Sequence, residues 1–143
     1  MKLDHIGIAV KNLEESLSRW SEFFNGEVRG IEEIKERGVR LAHLALKQGP
    51  SIEIVSPWGE GSTLEKFLIE RGEGIHHFCF EIDDTVGPFS RVIGAGIGLV
   101  GADGRPAQAT DKVGYTDPRK THGAVHELVP RGFFKGLART ITP

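Results

Sequence analysis

The sequence predicts an α+β protein made of two tandem βαβββ modules. Three observations carry that expectation. Stretches with an apolar residue at every second position alternate with stretches whose apolar residues recur at helical spacing. The order strand, helix, three strands is met twice along the chain. Each half also sets a histidine on its first strand and a glutamate on its last, His5 with Glu53 and His77 with Glu127, and the two separations agree to within two positions. Identity between the halves is low, so the repeat rests on pattern. Residues 1–73 make the first module, 74–129 the second and 130–143 a tail. All lie within a single domain of 143 residues, long enough to bury a core without crosslinks.

In the first module, residues 3–10 alternate cleanly. His5, Gly7 and Ala9 share one strand face, and Ile6, Ile8 and Val10 share the other. The second face is apolar and calls for helix packing. The first is small beyond the histidine and leaves room for a ligand. Asn12 with Glu15 three residues on has the form of a capping box. Leu13, Leu17, Trp20, Phe23 and Phe24 then follow at helical spacing, up to a stop at Asn25-Gly26. Strands are expected at Glu27 to Ile34, at Val39 to Leu46 and at Ser51 to Val55, separated by the turns Lys35-Glu36-Arg37-Gly38 and Lys47-Gln48-Gly49-Pro50. Val39, Leu41, His43 and Ala45 share a face of the third strand, and Glu53 sits within the fourth. Ser62 and Glu65 suggest a second capping box, opening a short helix through Glu70.

The second module begins at Gly74 and runs as a strand from His77 to Ile82. A helix over Val86–Ile93 is weakened by Gly87 and Pro88. A strand at Ile97–Val100, a loop over Gly101–Ala107 and strands at Ala109–Thr116 and Ala124–Val129 complete it, with Asp117 to Gly123 as the last turn. His76 and His77 are adjacent on a strand and face opposite ways. His77 is the partner of His5, and His76 supports the sheet. Cys79 shares the face of His77 and reads as core. In the tail, Arg131, Lys135 and Arg139 recur four apart, on one face if helical.

Composition narrows the function. A formal net charge of −2 offers no strongly basic surface, so neither nucleic acid nor membrane is an expected partner. The apolar runs fall far short of the roughly 20 residues of a spanning helix. The N-terminus lacks a signal-peptide pattern, and the single cysteine, Cys79, excludes an intramolecular disulfide. A cytoplasmic location is expected.

The chemistry centres on the repeated pair. Glu53 and Glu127 stand within apolar strands, where a carboxylate is costly to bury unless it is paired or bound to a cation. Taken singly, His5, Glu53, His77 and Glu127 each have an ordinary structural explanation; the matched spacing selects them as a set. Two imidazoles and two carboxylates suit a divalent first-row metal, and a six-coordinate ion held by four protein ligands keeps two positions for substrate.

These motifs resemble the vicinal-oxygen-chelate (glyoxalase/bleomycin-resistance) superfamily, and within it the methylmalonyl-CoA epimerases. The resemblance rests on Asp4-His5-Ile6-Gly7-Ile8-Ala9-Val10, Ile52-Glu53-Ile54-Val55-Ser56-Pro57, Lys66-Phe67-Leu68, Gly72-Glu73-Gly74-Ile75-His76-His77, Asp83-Asp84, Asp117-Pro118-Arg119-Lys120-Thr121-His122-Gly123 and Glu127-Leu128. Gly-Glu-Gly-x-His-His is its most specific piece. It implies that the two modules form an open, cup-shaped mixed sheet around a divalent metal held by His5, Glu53, His77 and Glu127. Cobalt, manganese, nickel, magnesium and zinc are all admitted. Three departures stand out, one of them the segment Ala102–Gly114, which fits the family poorly. Some epimerases carry a glutamate, usually assigned as catalytic base, where this chain has Leu41. Their His-Pro-Lys turn is Asp117-Pro118-Arg119 here.

The activity the resemblance implies is epimerisation of (R)/(S)-methylmalonyl-CoA by α-proton abstraction, with the metal stabilising the enolate. Inversion needs proton carriers on both faces of that enolate. Glu127 is one candidate. His43, two positions from Leu41 on the same strand face, is the other. Arg119, Lys120 and the Arg131/Lys135/Arg139 face are candidates for the acyl-CoA phosphates, although a solvated charged face explains both more simply. Phe133 and Phe134 are apolar enough to dock the tail on the body or on a partner copy, and a homodimer is expected. Two alternatives share the fold: a glyoxalase I-type lactoylglutathione lyase with a similar ligand set, and a non-catalytic small-molecule-binding protein with no need of four metal ligands.

Overall fold

In the computed structural model of the chain, which describes residues 1–84, 86–101, 104–108 and 110–134, the elements follow the predicted order. They are β1 (Lys2–Ala9), α1 (Leu13–Phe24), β2 (Glu27–Ile34), β3 (Val39–Ala45), β4 (Ser51–Pro57), α2 (Thr63–Arg71), β5 (Gly74–Ile82), α3 (Val86–Gly94), β6 (Leu99–Val100), β7 (Gly114–Thr116) and β8 (His126–Pro130). Single 3-10 turns occupy Lys35–Arg37 and Pro118–Lys120. The chain divides into two packed units. One holds residues 5–76 with Phe134, and the other holds residues 1–4 with 77–133.

In the first unit the strand order is β2-β3-β4-β1, with β1 parallel to β4 and the other neighbours antiparallel. Period-two patterning sorts the side chains as the sequence predicts. Ile8, Val10, Ala42, Leu44, Ile52 and Ile54 pack with Leu13 and Leu17 of α1. On the opposite face Ala9, Val39, Leu41 and Val55 pack with Leu64 of α2. The sheet is therefore covered by a helix on each side, and the His5 face is the one shared with Leu41.

The second unit repeats the plan, with order β5-β8-β7-β6, β5 parallel to β8 and the rest antiparallel. Ile82, Leu99, Ala107 and Leu128 enclose Phe89 of α3, whose ring is fully buried. Each unit is thus a βαβββ module with a mixed sheet, and the fold class is α+β. Among the described residues, no helix is long and apolar enough to cross a membrane.

Local chemistry accounts for the helix ends. Asn12 Oδ1 accepts the Glu15 backbone N–H at 3.0 Å, and Asn25 closes α1 in the left-handed region at φ 46°. Replacing the cap with Asn12→Ala is expected to lower stability by about 1 kcal/mol, read as a shift of the urea midpoint at unchanged slope. At α2 the Ser62 hydroxyl accepts from Leu64 N at 3.2 Å, so the capping bond goes to the residue before Glu65. The weak helix over Gly87 and Pro88 forms because Asp84 accepts from Val86 N and Gly87 N, at 3.0 and 3.1 Å. Pro88 then stands in the first turn, where a missing N–H costs little.

Two strand expectations in the second module need correction. The run Ala109–Thr116 is a strand only over Gly114–Thr116; Ala109 lies outside the described residues. Asp111 Oδ2 accepts from Gln108 N at 2.8 Å and Asp111 N donates to Gln108 O at 3.0 Å. This closed turn satisfies the backbone locally and removes it from the ladder. The expected strand at Ile97 likewise starts at Leu99, because Ile97 N is held by Val92 O at the end of α3. Of the tail's charged face, Lys135 and Arg139 lie outside the described residues, as does Asp103 of the Gly101–Ala107 loop.

Candidate functional site

Strand register places Glu53 at the centre of the first module's candidate chemistry. On β4 it is opposite Gly7 of β1 and opposite His43 of β3. Gly7 brings no side chain, so His5, diagonal to it, reaches the carboxylate. His5 Nε2 lies 3.5 Å and His43 Nε2 3.4 Å from Glu53 Oε2, and the two imidazoles meet edge to face at 5.3 Å. All three are buried, with 7% or less of each exposed. Phe134 sets its ring edge-on to His5 at 5.5 Å.

The second module repeats this arrangement. Glu127 on β8 is opposite Cys79 of β5 and opposite Tyr115 of β7. His77 Nε2 lies 3.2 Å from Glu127 Oε2, and Tyr115 donates its hydroxyl to Glu127 Oε1 at 2.7 Å. His77, Cys79 and Glu127 are buried. By register, Gly7 corresponds to Cys79 and His43 to Tyr115.

Each sequence-selected histidine therefore stands beside its own module's glutamate. His76 takes the other face of β5, where its ring meets Phe67 edge-on at 4.8 Å. Leu41 is buried hydrocarbon beside Ala9, Val55 and Leu64 and has no group that can accept or donate a proton. Sequence reasoning missed Tyr115. Its only signal is its place opposite Glu127, which depends on the register across the 117–123 turn.

The candidate phosphate contacts fare differently. Arg119 is bound by Asp117, which accepts its Nε at 2.9 Å and its Nη2 at 2.7 Å and also caps the turn through Arg119 N. The side-chain bond from Arg119, followed by its backbone bond, holds the Asp117 carboxyl down at about 2 and raises the guanidinium. Arg131 is paired with Asp83. Both arginines are thus committed to neighbouring carboxylates.

Residues 4–115 match the Glyoxalase/Bleomycin resistance protein/Dioxygenase superfamily. The chain is 30% identical over 135 residues to the ethylmalonyl-CoA/methylmalonyl-CoA epimerase of Cereibacter sphaeroides, covering 89% of this chain and 96% of that protein. It is 30% identical to the mitochondrial methylmalonyl-CoA epimerase of Dictyostelium discoideum, over 89% and 76% of the two chains. Among solved structures it is similar to a point variant of Streptomyces coelicolor methylmalonyl-CoA epimerase in complex with 2-nitronate-propionyl-CoA. That match has TM-score 0.75 and 26% identity, covering 91% of this chain and 96% of that one.

Proposed function

The chain belongs to the glyoxalase/bleomycin resistance protein/dioxygenase superfamily and is an isomerase of the methylmalonyl-CoA epimerase kind, and on that premise we propose that it interconverts the (R) and (S) forms of methylmalonyl-CoA by removing and returning the α-proton. The observation that supports this most is the buried His–Glu pair carried at matching register by each module.

His5, Glu53, His77 and Glu127 are proposed as the ligands of one divalent ion. The donor set fits such a group, since imidazole nitrogen and carboxylate oxygen together suit the first-row divalent metals. Two glutamates held this deep in apolar strands would also be stabilised by a bound cation. Bound there, the ion would supply Lewis-acid stabilisation of the negative charge that develops when the α-proton leaves.

The proton itself is carried by side chains. Glu127 Oε2 is proposed to take it on one face of the α-carbon, a task that suits a desolvated carboxylate. His43 is proposed for the other, as an imidazole exchanges protons near neutral pH. With Leu41 inert, His43 is the proton-carrying side chain next along the same face of β3.

The test is α-proton exchange of methylmalonyl-CoA in D2O, followed by proton NMR, beside metal analysis of the same sample. Exchange by a protein holding a divalent metal is expected. It should be lost on treatment with a chelator and restored by Co2+ or Mn2+. Metal-loaded protein that leaves the α-proton in place, or that turns over the methylglyoxal–glutathione adduct instead, would overturn the reading.

A further inference from the structure

We propose that Tyr115 is the positioning residue for Glu127, fixing which carboxylate oxygen faces the metal and the substrate. The inference rests on the metal centre proposed above and adds a residue to it. Glu127 has two oxygens in different settings. Oε1 accepts the phenol hydroxyl at 2.7 Å, and Oε2 is turned to His77 Nε2 at 3.2 Å. A carboxylate free to rotate exchanges its two oxygens; one held by a charge-assisted hydrogen bond on one side does not.

Register makes the contact a built feature. Tyr115 and Glu127 are direct cross-strand partners on β7 and β8, so their side chains leave the same sheet face side by side. The first module puts His43 at the corresponding place opposite Glu53. Both carboxylates thus have a protic cross-strand neighbour, but the two neighbours differ in kind. An imidazole nitrogen can serve as donor or acceptor, whereas the phenol here donates its one O–H to Glu127 Oε1. Tyr115 therefore holds one named oxygen of Glu127 and leaves the other to face His77. Partners of this sort commonly change metal affinity or activity by about 10- to 100-fold when removed.

Tyr115→Phe removes the hydroxyl and keeps the ring. Co2+ is the probe, with affinity measured by titration and geometry read from its visible absorption. The variant is expected to bind Co2+ about 10- to 100-fold more weakly than wild type. Its absorption band should be altered, and at saturating Co2+ kcat for proton exchange should fall with KM unchanged. Thr116→Val is the control for damage to β7, because Thr116 Oγ1 accepts the His126 backbone N–H at 2.9 Å and makes no bond to Glu127 that is described. That variant should match wild type in affinity and spectrum. Equal loss in both variants would assign the effect to the strand and sink the positioning role. So would a Tyr115→Phe protein with wild-type affinity, spectrum and kcat. A wild-type protein that binds no Co2+ removes the metal centre itself, an outcome distinct from failure of the tyrosine alone.

Discussion

Glu127→Gln is expected to slow α-proton exchange by about 10²- to 10⁴-fold, the usual contribution of a positioned general acid or base. Glu53→Gln is expected to cost much less once metal is saturating. The contrast follows from what an amide keeps and what it loses. Glutamine retains a carbonyl oxygen with lone pairs, so it still donates to a cation, but it does not accept a proton at neutral pH. If both glutamates were ligands and nothing more, the two substitutions would weaken metal binding alike and activity would return alike with excess metal. If Glu127 also carries the proton, its loss persists under saturation. The amide has one oxygen where the carboxylate has two, so it serves either Tyr115 or the cation, and the comparison is made only once Co2+ is saturating. The measurement is exchange of methylmalonyl-CoA in D2O across a Co2+ titration for wild type and both variants. Recovery of Glu127→Gln to within tenfold of wild type would remove Glu127 from the proton-transfer step.

The pairs His5–Glu53 and His77–Glu127 were legible because strand alternation is rigid. Once Ile6, Ile8 and Val10 are assigned to the helix-packed side, His5 has one place to go, and Ile52 and Ile54 fix Glu53 in the same way. The element order followed from the same periodicity, with Asn12 and Asn25 marking the ends of α1. Tyr115 was hidden for a physical reason. The turn before β8 carries its own hydrogen bonds, including Arg119 N to Asp117 Oδ1 and Gly123 N to Pro118 O, and its length differs from that of the Lys47–Pro50 turn of the first module. A slip of one residue across such a turn sends the tyrosine to the opposite face. The shortened β7 was hidden for a related reason, since the Gln108–Asp111 closure depends on a side chain bonding its own backbone rather than on apolar pattern. Asp84 was visible in sequence, yet its capping of α3 was masked by Gly87 and Pro88, which argue against a helix when read alone.

Phe89→Ala is expected to destabilise the protein by about 3–5 kcal/mol, the largest stability effect of a single core change here. The ring is fully buried among Ile82, Leu99, Ala107 and Leu128, and it joins α3 to strands β5, β6 and β8. It also explains a glycine. A Cβ on Gly114 would stand 2.9 Å from Phe89 Cζ and 3.3 Å from Leu99 Cδ2, so β7 approaches the ring closely only because that position is bare. Gly114→Ala alone should therefore cost about 1–3 kcal/mol by overpacking. In the Phe89→Ala background the same methyl meets the space left by the ring, and its cost should shrink or change sign. The two losses should then fall short of additivity by about 0.5–3 kcal/mol. Urea unfolding of the four proteins in the cycle measures that coupling, and strict additivity would show that the ring and the glycine do not share one packed space. The coupling reaches the site as well. Gly114 precedes Tyr115 on β7, and Leu128 follows Glu127 on β8, so the apolar side of these strands sets the height at which the phenol meets the carboxylate. A shift of β7 caused by the methyl on Gly114 should weaken Co2+ binding in the single variant and be relieved in the double, a readout that plain loss of stability would not reverse.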